Sequence, residues 1–267
     1  MRRTVSADLG AVTTAGTEVV LSIAVAGPAG YEAVEEELSV LVDGRPADLR
    51  EREDRDGTRL HLLTTPEAAS LEVRYRATVT GSAAAAPRDD VDLVRYVRPS
   101  RYCESDRILP TAYAQFPDVQ GGDLLQAVRD WVAAELTYVS GSSRFTDSAV
   151  DTLLARRGVC RDYAHLVIAL LRARDIPARL VSVYAPGLSP MDFHAVVEAW
   201  VDGAWHVVDA TGLAPRASML RIATGRDATD TAFLSTIGGA LQLSSLSVTA
   251  TVDELPVEYA AERLALG

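Results

Sequence analysis

Cys160, His194 and Asp209 stand far apart in the chain, yet their types could act as one chemical unit. A cysteine thiolate attacks carbonyl carbon well, but it needs a base within hydrogen-bond reach to be formed and held. A histidine can be that base. A carboxylate on the far side of the ring fixes the tautomer and stabilises the imidazolium. Cys160 lies in Arg156-Arg157-Gly158-Val159-Cys160-Arg161-Asp162, where a helical pattern begins. A helix N-terminus carries partial positive charge and free N–H groups. It therefore stabilises a thiolate, and its N–H groups can hold a developing oxyanion. The three arginines in this segment would act in the same sense, and Gly158 permits a tight entry into the helix. Taken alone, Cys160 is equally explained as a small buried residue on an amphipathic helix.

The base is chosen by strand parity. Asp202-Gly203 is a hairpin dipeptide between two strand-like runs. It pairs Val201 with Ala204 and Trp200 with Trp205, so Val196 faces Asp209. His194 shares the face of Val196 and is diagonal to Asp209. Diagonal partners lie about 7–8 Å apart at the backbone, within reach of two polar side chains. His206 falls on the opposite face. A β-bulge would overturn this parity. An isolated His–Asp pair could simply close the end of a sheet; the conjunction with Cys160 favours a triad.

The other candidates have plainer explanations. His165 lies about 140° around the helix from Cys160, which suits a core or cap histidine better than the base. His61 is expected at the surface of the N-terminal strands. Cys103 has no partner with triad-like spacing and reads as structural. There is no H-E-x-x-H, and His194 with Glu198 would point along a strand, so no metal site is expected. A metal hydrolase would need His194 and His206 on one face. The glycine pairs match no phosphate-binding loop, and no cofactor is expected.

These residues need elements to position them. Up to about residue 80 the chain reads as strands: Glu18 to Ala26 ending at Gly27-Pro28, Leu38 to Val42 running into Asp43-Gly44, then Arg59 to Leu63 and Leu71 to Val79. A small β-sandwich is the economical reading. The small-residue segment Gly81 to Asp90 marks a boundary, giving an all-β domain of residues 1–85 and a catalytic domain of 86–267. The proline-bearing stretch up to about residue 120 is expected to wrap over the second domain. An amphipathic helix follows, marked by Leu124, Leu125, Val128, Trp131, Val132 and Leu136. A short helix over Ser148 to Arg157 is stopped by Gly158. A third begins near Cys160, buries Ala164, Val167, Ile168 and Leu171, and ends before Pro177. Strands are expected over Arg179 to Tyr184, His194 to Val201 and Trp205 to Asp209. Helices first, then strands, point to an α+β fold.

Composition excludes several classes. The 267 residues are 48% apolar and 24% charged, as in a globular protein, and the net charge is −11. No stretch is strongly basic, which argues against a nucleic-acid surface or a polybasic membrane anchor. Two cysteines make no disulfide framework and fit a reducing compartment. Asp8 and Glu18 interrupt the apolar run after Arg2 and Arg3, so no signal peptide is read. The uncharged run Thr231 to Val252 is too rich in Ser, Thr and Gly to span a bilayer. A soluble, cytoplasmic protein is expected.

Several segments together resemble the bacterial transglutaminase-like superfamily: Gly158-Val159-Cys160-Arg161-Asp162-Tyr163-Ala164-His165, Ile176-Pro177-Ala178-Arg179, Asp192-Phe193-His194-Ala195, Trp205-His206-Val207-Val208-Asp209-Ala210-Thr211-Gly212 and Arg221 to Asp227. The resemblance covers about residues 100–250, with a weaker likeness of the first 80 to the family's β domain. It implies a papain-like α+β catalytic fold with Cys160, His194 and Asp209 as its triad. It also implies that Tyr138, Asp162 and His165 lie near the site, although Asp162 could instead cap the helix. The implied chemistry is attack of the Cys160 thiolate on an amide or ester of a protein or peptide substrate. Resolution of the acyl-thioester by water makes a cysteine peptidase or amidase; resolution by a lysine-like amine makes a protein-glutamine gamma-glutamyltransferase. A partly open site admits water, which favours hydrolysis. No calcium loop of the D-x-D-x-D-G kind is present. A non-catalytic scaffold of the same fold is the rival reading.

Overall fold

The computed structural model describes residues 1–259 and 261–267, and among them the chain forms four β-sheets and six α-helices. The first third is all strand: β1 (Arg2–Thr13), β2 (Thr17–Leu21), β3 (Ala33–Val42), β4 (Arg45–Pro46), β5 (Arg50–Glu53), β6 (Arg59–Thr65) and β7 (Ala69–Thr80). Alternation explains them. Leu71, Val73, Tyr75, Ala77 and Val79 of β7 point into the core while the residues between them face outward. Asp43 and Gly44 take left-handed φ of 49° and 76° in the β3–β4 turn, as a two-residue hairpin requires. The run Glu18 to Ala26 is a strand only as far as Leu21. Beyond it the backbone bonds outside any ladder, with Val25 N–H donating to the Tyr75 hydroxyl (2.9 Å) and Ala26 N–H to the Arg221 carbonyl (2.9 Å).

The middle of the chain holds α1 (Asp90–Tyr96), α2 (Leu109–Gln115), α3 (Gly121–Glu135), β8 (Thr137–Tyr138), α4 (Ala149–Ala155), β9 (Arg157–Gly158) and α5 (Cys160–Arg172). The stretch expected to wrap irregularly contributes α1 and α2, and Ile108, Ala112 and Phe116 of the α2 region join the apolar core. Next come β10 (Ala178–Tyr184), β11 (Phe193–Val201), β12 (Ala204–Val208) and β13 (Leu220–Gly225), one antiparallel sheet in the order β12-β11-β10-β13. α5 packs on this sheet and beneath α3 and α4. Its expected single buried face is too narrow: Leu166, Val167, Ile168, Leu170 and Leu171 are all wholly buried, because neighbours cover the helix on every side.

The chain ends with α6 (Ala228–Thr231), β14 (Leu234–Ile237) and β15 (Leu241–Val252). β15 runs antiparallel to β1 from Arg3↔Val252 to Thr13↔Leu241, and β14 pairs with β2. The sandwich is therefore β15-β1-β7-β3-β4 against β14-β2-β6-β5. The expected division into 1–85 and 86–267 does not describe these sheets, since residues 234–252 return to the N-terminal strands. The long β1 would otherwise present an unpaired edge, and β15 covers it. Among the described residues no helix is long and apolar enough to cross a membrane.

The sandwich and the β12-β11-β10-β13 sheet share one core. Tyr184, Leu220, Ile222 and Ala223 pack among the sandwich residues, and the Tyr184 hydroxyl donates to the Ile23 carbonyl (2.8 Å). Glu198 of β11 is almost fully buried beneath two guanidiniums, accepting from Arg179 Nε (2.8 Å) and Arg221 Nη2 (2.7 Å). Arg179 also reaches Asp56 of the β5–β6 connection (3.0 Å) and lies 4.0 Å over the Trp205 ring. Burial alone would raise the Glu198 pKa, but Arg221 and Arg179 overcome it and hold the carboxyl down at about 2. A depressed carboxylate contributes stability that is present above its unfolded pKa of about 4.3 and lost as pH falls through its folded value. Glu198→Gln takes the buried carboxylate from Arg221 and leaves Arg179 with Asp56 alone, and is expected to cost about 3–5 kcal/mol at pH 7. Urea unfolding of both proteins checks this, and the difference should shrink between pH 4 and pH 2.

Candidate active site

The Cys160 end of the site is built by α4, β9 and α5. α4 stops at Arg156, which takes the left-handed C-cap conformation with φ 55°, so Gly158 is not the stop signal that the sequence implied. Gly158 answers a different need. It pairs with Tyr138 across β8 and β9, and a Cβ on it would stand 2.6 Å from Asp162 Cβ. Without that Cβ, Asp162 folds back over the start of α5. Its carboxylate accepts from the Val159 N–H (2.9 Å) and from the Ser143 hydroxyl (2.9 Å). Asp162 is thus the cap of the Cys160 helix. The neighbouring arginines do not crowd the thiol as expected. Arg156 pairs with Glu135 (2.6 Å), Arg161 donates to the Arg144 carbonyl (2.7 Å), and Arg157 is exposed. Each finds a partner or solvent away from Cys160, itself partly exposed.

The His194 end of the site is built by the β11–β12 hairpin. Its register runs Val197↔Val208 to Val201↔Ala204 without a bulge, around Asp202 and Gly203 at φ 54° and 82°. His194 Nε2 lies 3.0 Å from Asp209 Oδ2, and both side chains are buried. With Nε2 engaged by Asp209, Nδ1 is the ring nitrogen left over, and Cys160 is the ring's other polar neighbour. Burial opposes charge on this imidazole. The Asp209 and Cys160 hydrogen bonds and their charges outweigh burial and raise its pKa to about 10. Asp209 is likewise disfavoured by burial but held below the usual carboxylate range by His194 and Thr211.

Two supports of Asp209 escaped sequence reasoning. Thr211 donates its N–H (2.8 Å) and hydroxyl (2.7 Å) to Asp209 Oδ1. Arg129 Nε, from α3, donates to the Asp209 carbonyl (3.3 Å). Thr211 sits in the Asp209-Ala210-Thr211-Gly212 segment, so its nearness was visible. Arg129 looks like any solvent-facing residue of an amphipathic helix, and only the packing of α3 reveals its target.

Tyr138 is brought to Cys160. Its hydroxyl lies beside Cys160, and its ring packs 5.9 Å from that of Tyr163. Burial, then the neighbouring Cys160, push its pKa up to about 12, so it stays a protonated donor. His165 takes the core role. It is wholly buried, stacks on Tyr102 at 5.2 Å and accepts from the Ala228 N–H (3.2 Å). Burial drives its pKa down, so it is neutral. His61 is 4% exposed rather than a surface residue, because β5 and its Glu51 (3.7 Å) lie against it. His206 bonds the Val201 carbonyl (3.2 Å). Cys103 is buried and its thiol pushed up to about 12 by burial. Among the described residues no group of three or more His, Cys, Asp or Glu could hold a metal ion.

A raised histidine contributes stability that is complete below its unfolded pKa of about 6.5 and lost as pH rises through its folded value. The His194 imidazolium is therefore present at pH 6 and discharges near pH 10. Alkylation of Cys160 by iodoacetamide at pH 6 is expected to run at least about tenfold faster than in His194→Ala, because the cation that favours thiolate is gone. Equal rates would break the proposed coupling. Gly158→Ala forces Asp162 from its cap and should cost about 1–3 kcal/mol in thermal or urea unfolding.

Residues 114–210 match the model of the Transglutaminase-like superfamily. The whole fold superposes on the crystal structure of a candidate cysteine protease from Cytophaga hutchinsonii with a TM-score of 0.87 and 33% identity, covering 99% of this chain and 96% of that one. An uncharacterized protein of Mycobacterium leprae is 30% identical over 141 residues, 48% of this chain and 49% of the other. One of Mycobacterium tuberculosis is 38% identical over 85 residues, 29% of this chain and 27% of the other. The match thus spans half or less of these curated relatives. Aligned along nearly its whole length with a solved relative and carrying the superfamily core between β-sandwich strands, the chain belongs to the transglutaminase-like superfamily.

Proposed function

We propose that the protein is a cysteine-dependent amide hydrolase, a peptidase or amidase, with Cys160 as nucleophile, His194 as acid–base and Asp209 as the orienting carboxylate. The observation that carries this reading is the buried Asp209–His194 contact of 3.0 Å beside Cys160, which starts a buried helix. The imidazolium and the helix end both favour a thiolate at rest.

The thiolate attacks the amide carbonyl, forming the C–S bond and placing the electron pair on oxygen. We assign the Cys160 backbone N–H, at the helix end, and the neighbouring Tyr138 hydroxyl as the donors to that oxyanion. Collapse restores the carbonyl and breaks the C–N bond, and His194 gives its proton to the departing amine. A water then attacks the thioester while neutral His194 takes its proton. The C–S bond breaks, releasing the acid and regenerating the thiolate–imidazolium pair. Asp209, fixed by Thr211 and Arg129, keeps Nδ1 aimed at the sulfur throughout. No step calls for a metal or cofactor.

Incubation with a defined peptide library, read by mass spectrometry, tests the reading. Cleavage is expected, with Cys160→Ala reducing it by at least about 10³-fold and Tyr138→Phe lowering kcat by about 10²-fold with little change in KM. A fluorescent primary amine is included in the same reaction. Amine incorporation into glutamine peptides with no hydrolysis would replace the hydrolase by a transamidase. Neither product would leave a binding scaffold.

A further inference from the structure

Asp192 immediately precedes β11, two residues before His194, and β11 is still paired there through Phe193↔Tyr184. Side chains two apart along an extended chain point the same way, so Asp192 and His194 share a side. His194 is buried, whereas Asp192 is exposed. The carboxylate thus stands nearer to solvent on the same side as the buried ring.

Its neighbours do not neutralise it. Oδ1 accepts from the Phe193 N–H (2.7 Å), and among the described residues Oδ2 has no hydrogen-bond partner and the carboxylate no ion pair. The cations around the site are committed elsewhere. Arg161 holds Ser143 and the Arg144 carbonyl, Arg129 holds Asp130, and Arg157 lines a cavity with Asp147 and Asp151. The His194 ring already has Asp209 and Cys160 as its partners. The charges acting on the Tyr138 hydroxyl are those of Cys160, Asp192 and Asp209, all negative. Asp192 therefore lies within electrostatic reach of the hydroxyl beside the thiol, where substrate must come. Tyr138 is 42% exposed, so its ring offers apolar surface at that place. An aliphatic stem can lie along such a ring with its cationic head on a carboxylate.

We propose that Asp192 determines specificity at this site, its carboxylate receiving the ammonium or guanidinium of a cationic residue that adjoins the scissile amide. The inference deepens the hydrolytic reading and rests on it. The bond from the Phe193 N–H needs only an acceptor, which Asn would supply as well. The negative charge is what remains for substrate. An exposed ion pair contributes little, but a substrate lying over the carboxylate excludes water from one side and strengthens the pair.

Charged thiol reagents test the selection without any peptide. Cys160 is partly exposed and Cys103 wholly buried, so modification reports on Cys160. Rates are measured for the cationic trimethylammonioethyl and the anionic sulfonatoethyl methanethiosulfonate. Each is divided by the rate of the neutral methyl reagent, which corrects for any change in the thiol itself. The cationic reagent is expected to be favoured over the anionic one by at least about tenfold. Asp192→Asn should cut that preference at least about threefold, and Asp192→Lys should reverse it. No preference in the native protein, or one unchanged in Asp192→Asn, overturns the inference. The peptide library is then read for the residues flanking each cut. Lysine and arginine are expected to be enriched there about fivefold over glutamate, and the enrichment to be lost in Asp192→Asn. Charge-selective modification without peptide cleavage would sink the hydrolytic reading alone. Cleavage with no bias toward cationic residues would sink this inference alone.

Discussion

A protonated imidazole buried at the end of a sheet is tolerable only beside a fixed negative charge, and the His194–Asp209 contact of 3.0 Å supplies it. Much of the surrounding structure serves that contact. Hairpin register brings the two residues to one face, Thr211 occupies the other carboxylate oxygen, and Arg129 grips the backbone behind it. The carboxylate has no freedom to rotate away, so the ring has one orientation and a single nitrogen left for Cys160. Geometry at the thiol is set from the far side of the ring.

The second requirement is that α5 stay still. A thiolate gains from a helix end only if the helix does not fray, and α5 is wrapped on all sides with Asp162 folded over its first turn. Glu198, four residues along β11 from His194, ties the same strand to Arg179, Arg221 and Asp56. One strand thus carries the base at one end and, further along, the ion cluster that fastens it to the sandwich. Apolar packing through Tyr184, Leu220 and Ile222 makes the joint continuous rather than hinged.

What the sequence disclosed, and what it hid, follows the range of each interaction. The β11–β12 pairing was legible because Asp202-Gly203 sets register within a few residues of itself, so His194 and Asp209 could be placed on one face by counting. The start of α5 at Cys160 was legible from a switch in periodicity. The all-round burial of α5, the burial of His61 and the reach of Arg129 depend on elements remote in the chain, and no local pattern encodes them. The arginines around Cys160 misled because composition gives charge without direction. The return of β14 and β15 was hidden for the same reason: an uncharged run rich in Ser and Thr says strand, and does not say beside which partner.

That return has a consequence for how the molecule comes into being. Arg3 pairs with Val252, so the edge of β1 stays open until the chain has been made as far as Val252. An early strand must wait for a late one, and closing so distant a pair is slow. During that interval two sandwich edges lie bare and invite pairing with other nascent chains. The segment that holds Cys160 is synthesised between the two parts of its own support. It acquires its final footing only when β15 closes the sheet.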